Sequence, residues 1–119
     1  NKIKRIDFAT GCCFAIRSND FKKIGMFDES FNMYCEDVDL SLRIAKIGGK
    51  IHFVPQSIIY HNVSHSLGGQ KSIKKILLKY KSRVFLVRKH KPFLFPVIFI
   101  FLFIGFIFEF FFHFIGTSR

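Results

Sequence analysis

The sequence predicts an α/β fragment followed by a helical, membrane-seeking C-terminus, and three observations carry that prediction. Short β-type runs alternate with helical periodicity up to about residue 70. From Ser72 the pattern becomes that of a basic amphipathic helix. The 23 residues from Phe93 to Ile115 then form an apolar run broken, among ionisable groups, only by Glu109 and His113. As a helix that run would extend roughly 34 Å, enough to cross a hydrocarbon core of about 30 Å. The chain accordingly divides into residues 1–70, a basic helix over 71–91 and an apolar segment over 92–119, expected to be a transmembrane helix.

Taken in order, Ile3 to Ala9 reads as a strand leading into the small residues Thr10-Gly11-Cys12-Cys13, and Cys13 to Arg17 as a second, short and buried strand. Ser18 or Asn19 can cap a short helix over Asp20 to Ile24, which Gly25 ends. Phe27 to Asn32 is a loop with aromatic anchors. A second helix is expected from Glu36 to Ile47, because Leu40, Ile44 and Ile47 recur at helical spacing and Gly48-Gly49 stops it. Lys50 to Pro55 reads as a strand with Ile51 and Phe53 inward and His52 outward, and Ile58 to Tyr60 as another. Asn62 to Gly69 is a polar loop. Beyond it, Ile73, Ile76, Leu77, Tyr80, Val84 and Val87 make one helical stripe, suited either to a membrane surface or to packing on the rest of the chain. Pro92 separates this helix from the apolar segment.

At 119 residues and 14.0 kDa the chain has room for one modest domain. Residues 1–70 are few for an independently stable fold. The chain opens on Asn1 directly into strand-like sequence, with no secretory signal, and reads as the tail of something longer. Its three cysteines lack metal-site spacing and read as reduced, small buried hydrophobes of a cytosolic compartment. The net charge of +11 is unevenly placed: Lys71 to Lys91 holds nine Lys or Arg, and no acid falls between Asp39 and Glu109. A basic stretch abutting an apolar helix marks the cytoplasmic side of a membrane and attracts anionic lipid. Nucleic acid is the weaker explanation of the charge, since no nucleic-acid motif accompanies it.

Against that basic background, Asp28, Glu29, Glu36, Asp37 and Asp39 bring five of the eight acids into twelve positions. Carboxylates so crowded repel one another unless a cation, a proton or hydroxyl donors engage them. Helix-start acids also have a plain structural use, complementing the helix dipole and capping its first turn.

Three blocks surround this cluster: Thr10 to Arg17, Ile24 to Phe31 and Tyr34 to Arg43. With Val54-Pro55, His61 and the basic stretch Tyr80 to His90, they resemble in order the C-terminal part of a family-2 glycosyltransferase, closest to the rhamnosyltransferase-like enzymes of bacterial surface-polysaccharide assembly. The resemblance implies a C-terminal fragment of a GT-A (Rossmann-like) domain without its N-terminal nucleotide-binding half. It implies a nucleotide-sugar donor, rhamnose being the natural candidate, and a lipid-linked or polysaccharide acceptor. It further implies a divalent metal, Mg²⁺ or Mn²⁺, bound mostly by the N-terminal half, and catalysis on the cytoplasmic side of the inner membrane. Asp37-Val38-Asp39 has the letters of the family's Asp-x-Asp metal motif but lies in the wrong block and is not assigned to it.

Inverting transfer needs a base to take the acceptor hydroxyl's proton as it attacks the anomeric carbon. The resemblance places that base at Asp37, with Glu36 contacting acceptor hydroxyls or tuning its neighbour. It places a metal or diphosphate contact at His61, with His65 as the lesser alternative. Gly11 would let backbone approach a substrate closely. Asp28 would either organise a loop over the acceptor or stabilise a turn, and Arg43 would pair with Asp39. Glu109 and His113, one helical turn apart, are expected to share a hydrogen bond. Alone, the chain is expected to be inactive. The other readings are a non-catalytic membrane adaptor and a degenerate remnant.

Overall fold

The computed structural model describes residues 2–61 and 73–116, with side chains as far as residue 113. The expected loop Asn62 to Gly69, with His65, lies outside the described residues. By internal packing the chain forms two units: Asn1–Phe31 with Cys35–His61, and Asn32–Tyr34 with Asn62–Arg119.

The first unit contains β1 (Lys4–Ile6), α1 (Ser18–Ile24), α2 (Glu36–Lys46) and β2 (Ile51–Phe53). β1 and β2 pair antiparallel, Lys4 opposite Phe53 and Ile6 opposite Ile51. Both are three residues long, shorter than expected, and the described residues contain no parallel sheet of the Rossmann kind. Cys13 to Arg17 and Ile58 to Tyr60 are not strands. β-type sequence fits a pleated surface only where a neighbouring strand is available, and the single ladder of this unit offers them none. The cysteines follow suit: Cys12 and Cys13 are exposed rather than buried, Cys35 is half-buried, and none forms a disulfide.

α1 begins at Ser18 itself, with Arg17 in the cap position and no side-chain cap, so the expected capping by Ser18 or Asn19 is not formed. Gly25 ends the helix in the left-handed region at φ 90°, as its position predicts. α2 matches its expected span to within a residue. At the turn after it, a Cβ on Gly49 would lie 2.6 Å from Ile44 Cγ2 and 2.9 Å from the Ile44 carbonyl oxygen, which only glycine avoids.

The small core of this unit centres on Leu40 and Phe31. Beside them Asp39 is fully buried. Its carboxylate accepts the Arg43 Nε–H at 2.8 Å, the pairing expected from the sequence. Arg43 then donates to the Ile24 carbonyl at 2.7 Å and the Met26 carbonyl at 2.6 Å. One guanidinium thus satisfies a buried charge and two carbonyls at the end of α1, tying that end to α2.

The second unit is a helical hairpin. α3 (Ile73–His90) runs to a 3₁₀ turn at Pro92–Leu94, and α4 (Phe95–Gly116) returns alongside it. The Tyr80 ring meets Phe106 edge-on at 5.2 Å, and Lys79 donates to Glu109 Oε2 at 2.7 Å. Burial, together with the hydrogen bond to Glu109, pushes the Tyr80 phenol above its ordinary pKa and keeps it protonated. Ser82 Oγ donates to the Met33 carbonyl at 2.6 Å, anchoring Asn32–Tyr34 to the hairpin. The span Pro92–His113 is long and apolar enough to cross a membrane.

Candidate functional site

Two elements build the site: the loop after β1 and the start of α2. The approach to α2 is strained, because Tyr34 and Cys35 hold φ values of 68° and 67°. Non-glycine residues in that region cost of order 1–3 kcal/mol each and recur where geometry is functional. The two set the entry of the chain into Glu36 and Asp37.

Asp37 has its carboxylate fixed at both ends. Oδ1 accepts the Val38 N–H at 2.8 Å, one of the first-turn donors that a helix leaves without an internal partner. Oδ2 reaches across the loop to accept the Gly11 N–H at 2.8 Å. Each oxygen retains a further lone pair for a hydroxyl donor. The capping use of Asp37 and its placement in the site therefore coexist.

Glu36 converges on the same glycine. The position a Cβ would take on Gly11 is 3.6 Å from Asp37 Oδ2 and 3.8 Å from Glu36 Oε1. Those are ordinary contact distances, so the backbone here does not demand glycine; its lack of a side chain leaves the space between the two carboxylates open. Glu36 Oε2 is buried and has no hydrogen-bond partner among the described residues. A charged acceptor in that condition is costly unless a ligand's donor satisfies it.

Asp37 lines a hollow of about 1020 Å³ in the first unit, together with Thr10, Cys12, Ser41, His52 and Ile59. Ligand sites run from about 300 to 1,000 Å³, so this one is at the roomy end. Its wall is mainly apolar with a few polar groups, the usual make-up of such sites.

Sequence reading missed Ser41. Its hydroxyl donates to the Asp37 carbonyl at 2.7 Å and accepts the Ala9 N–H at 3.3 Å, clipping the Ala9–Gly11 loop onto α2. The available signal was a serine one helical turn after Asp37, hence on the same face of α2 as that acid. Asp28 accepts the Ser30 N–H at 2.9 Å, which is the turn-stabilising alternative of its two expected roles. His61 is exposed. Among the described residues no three His, Cys, Asp or Glu side chains converge as a metal cage requires.

No family model matches the chain, and no solved structure matches it. Curated relatives do. Over 60 residues, 50% of this chain and 23% of the relative, it is 37% identical to Rhamnosyltransferase WbbL of Escherichia coli (strain K12). Over 85 residues, 71% of this chain and 28% of the relative, it is 32% identical to N-acetylglucosaminyl-diphospho-decaprenol L-rhamnosyltransferase of Mycobacterium tuberculosis, in two strains. These relatives are rhamnosyltransferases. The chain spans about a quarter of their length.

Proposed function

We propose that this chain is the acceptor-side portion of an inverting, family-2 sugar transferase of the GT-A type, completed by a nucleotide-binding half. The donor is a nucleotide-linked rhamnose and the acceptor a lipid-borne glycan at the cytoplasmic face of a membrane. The observation that carries the reading is the Asp37 carboxylate, held by the Gly11 N–H on the wall of the large hollow. Similarity to rhamnosyltransferases, one of them named for a decaprenol-linked sugar, supports the substrate class.

In this mechanism the acceptor hydroxyl donates to Asp37, which takes its proton as the oxygen attacks the anomeric carbon. The bond from that carbon to the nucleoside diphosphate breaks on the opposite face, the diphosphate leaving with the electron pair. The Gly11 and Val38 N–H groups hold the carboxylate still, so little reorganisation accompanies the transfer. Glu36 Oε2 accepts a second hydroxyl of the acceptor and thereby sets its register.

The acceptor-binding half of the proposal is tested by Glu36→Gln in the assembled transferase. A hydrogen bond to a charged group contributes about 1.5–3 kcal/mol, so the acceptor KM is expected to rise roughly tenfold to hundredfold with the donor KM unchanged. An unaltered acceptor KM would remove Glu36 from the site.

A further inference from the structure

The α3–α4 hairpin has two chemically opposed layers. On α4, Phe95, Ile98, Leu102, Gly105, Phe106, Glu109 and His113 recur at helical spacing as the half-buried stripe. The stripe's central part meets α3, where the Tyr80 hydroxyl lies 3.2 Å from the position a Cβ would take on Gly105. The opposite face, including Val97, Phe101, Ile104, Phe108 and Phe111, is exposed along the helix. On α3, Lys74, Lys81 and Arg88 stand seven residues apart, in one exposed line.

This pairing conflicts with an upright α4. Glu109 lies roughly 20 Å along α4 from Phe95, and Lys79 of α3 is bonded to it there. Were α4 to cross a bilayer, α3 running back beside it would carry its exposed line of cations into hydrocarbon, which is costly for each one. A hairpin lying in the plane of one leaflet has no such penalty. The exposed face of α4 then meets acyl chains, while α3, one helix diameter further out, is level with the phosphates.

We propose that α3 and α4 form a single in-plane anchor that binds an anionic leaflet from one side, with both ends of α4 on that side. The inference rests on the membrane-surface reading above and replaces crossing with lateral insertion. It would confine the site to the surface on which a lipid-borne acceptor moves.

The chain contains no tryptophan, so single tryptophans report depth without background. Val97→Trp, Ile104→Trp and Phe111→Trp fall on the exposed face at intervals of seven. They would be measured in the whole chain on phosphatidylcholine–phosphatidylglycerol vesicles carrying lipids brominated at several depths. The expected result is one shared, shallow depth for all three. Ile104→Trp lying about 10 Å deeper than both others would overturn in-plane insertion while leaving membrane binding intact. An absence of quenching in all three would overturn both. Replacing Lys74, Lys81 and Arg88 together by Gln should weaken binding to these vesicles about a hundredfold; undiminished binding would overturn the headgroup role of α3.

Discussion

Replacing Arg43 by Met tests the internal architecture of the first unit most severely. The substitution keeps the aliphatic bulk but removes the guanidinium that meets the fully buried Asp39 at 2.8 Å and the Ile24 and Met26 carbonyls at 2.7 and 2.6 Å. Withdrawing one partner from a buried ion pair costs about 3–5 kcal/mol, because the remaining charge is left in a poor solvent for it. The two carbonyls at the end of α1 add to that loss unless water reaches them. Domains of this kind are stable by about 5–15 kcal/mol, so Arg43→Met is expected to remove a large share of the first unit's stability. Arg43→Lys should be intermediate, since an ammonium can meet Asp39 but does not reproduce the fork to two carbonyls. Urea unfolding followed by circular dichroism gives both numbers. A loss below about 1 kcal/mol for Arg43→Met would refute the reasoning, since a buried and bonded charge cannot be released so cheaply.

Two further outcomes follow from the geometry around the acids. Gly11→Ala should fold with stability within about 1 kcal/mol of wild type, because the added methyl meets only ordinary contacts at 3.6–3.8 Å; acceptor KM should nonetheless rise, since the methyl occupies the space between the two carboxylates. Cys35→Gly should raise stability by about 0.5–1 kcal/mol in the same urea assay, because glycine relieves a φ of 67° at some cost in chain entropy. Transfer should stay near wild type, as Cys35 contributes backbone rather than chemistry.

The parts of this fold that the sequence revealed are those governed by local rules. α2 was legible from Leu40 and Ile44 at helical spacing and from the glycines that follow, and its observed end at Lys46 differs by one residue. The Asp39–Arg43 pair followed from i,i+4 geometry, and Gly25 marked its helix end. The strands failed for the converse reason. Cys13 to Arg17 and Ile58 to Tyr60 carry β-type residues, but a strand exists only with a partner, and partners are a property of the whole fold. The convergence of Gly11 with Glu36 and Asp37 was not legible in the sequence: the resemblance names each of them separately, and no local pattern links residues 26 apart. Ser41 and the strained Tyr34–Cys35 entry were not read at all, because neither residue type signals its backbone geometry or its distant partner. The hairpin was hidden likewise: amphipathicity showed that α3 has two faces, but not that α4 would return along one of them.

The most direct test of the account is the transfer rate of Asp37→Asn in the assembled transferase, measured at saturating donor. Loss of a positioned general base should lower kcat by about 10²–10⁴-fold, with donor KM unchanged and the fold retained by circular dichroism. A kcat within a few-fold of wild type would contradict the account, leaving Asp37 as a helix-start residue that happens to face a hollow.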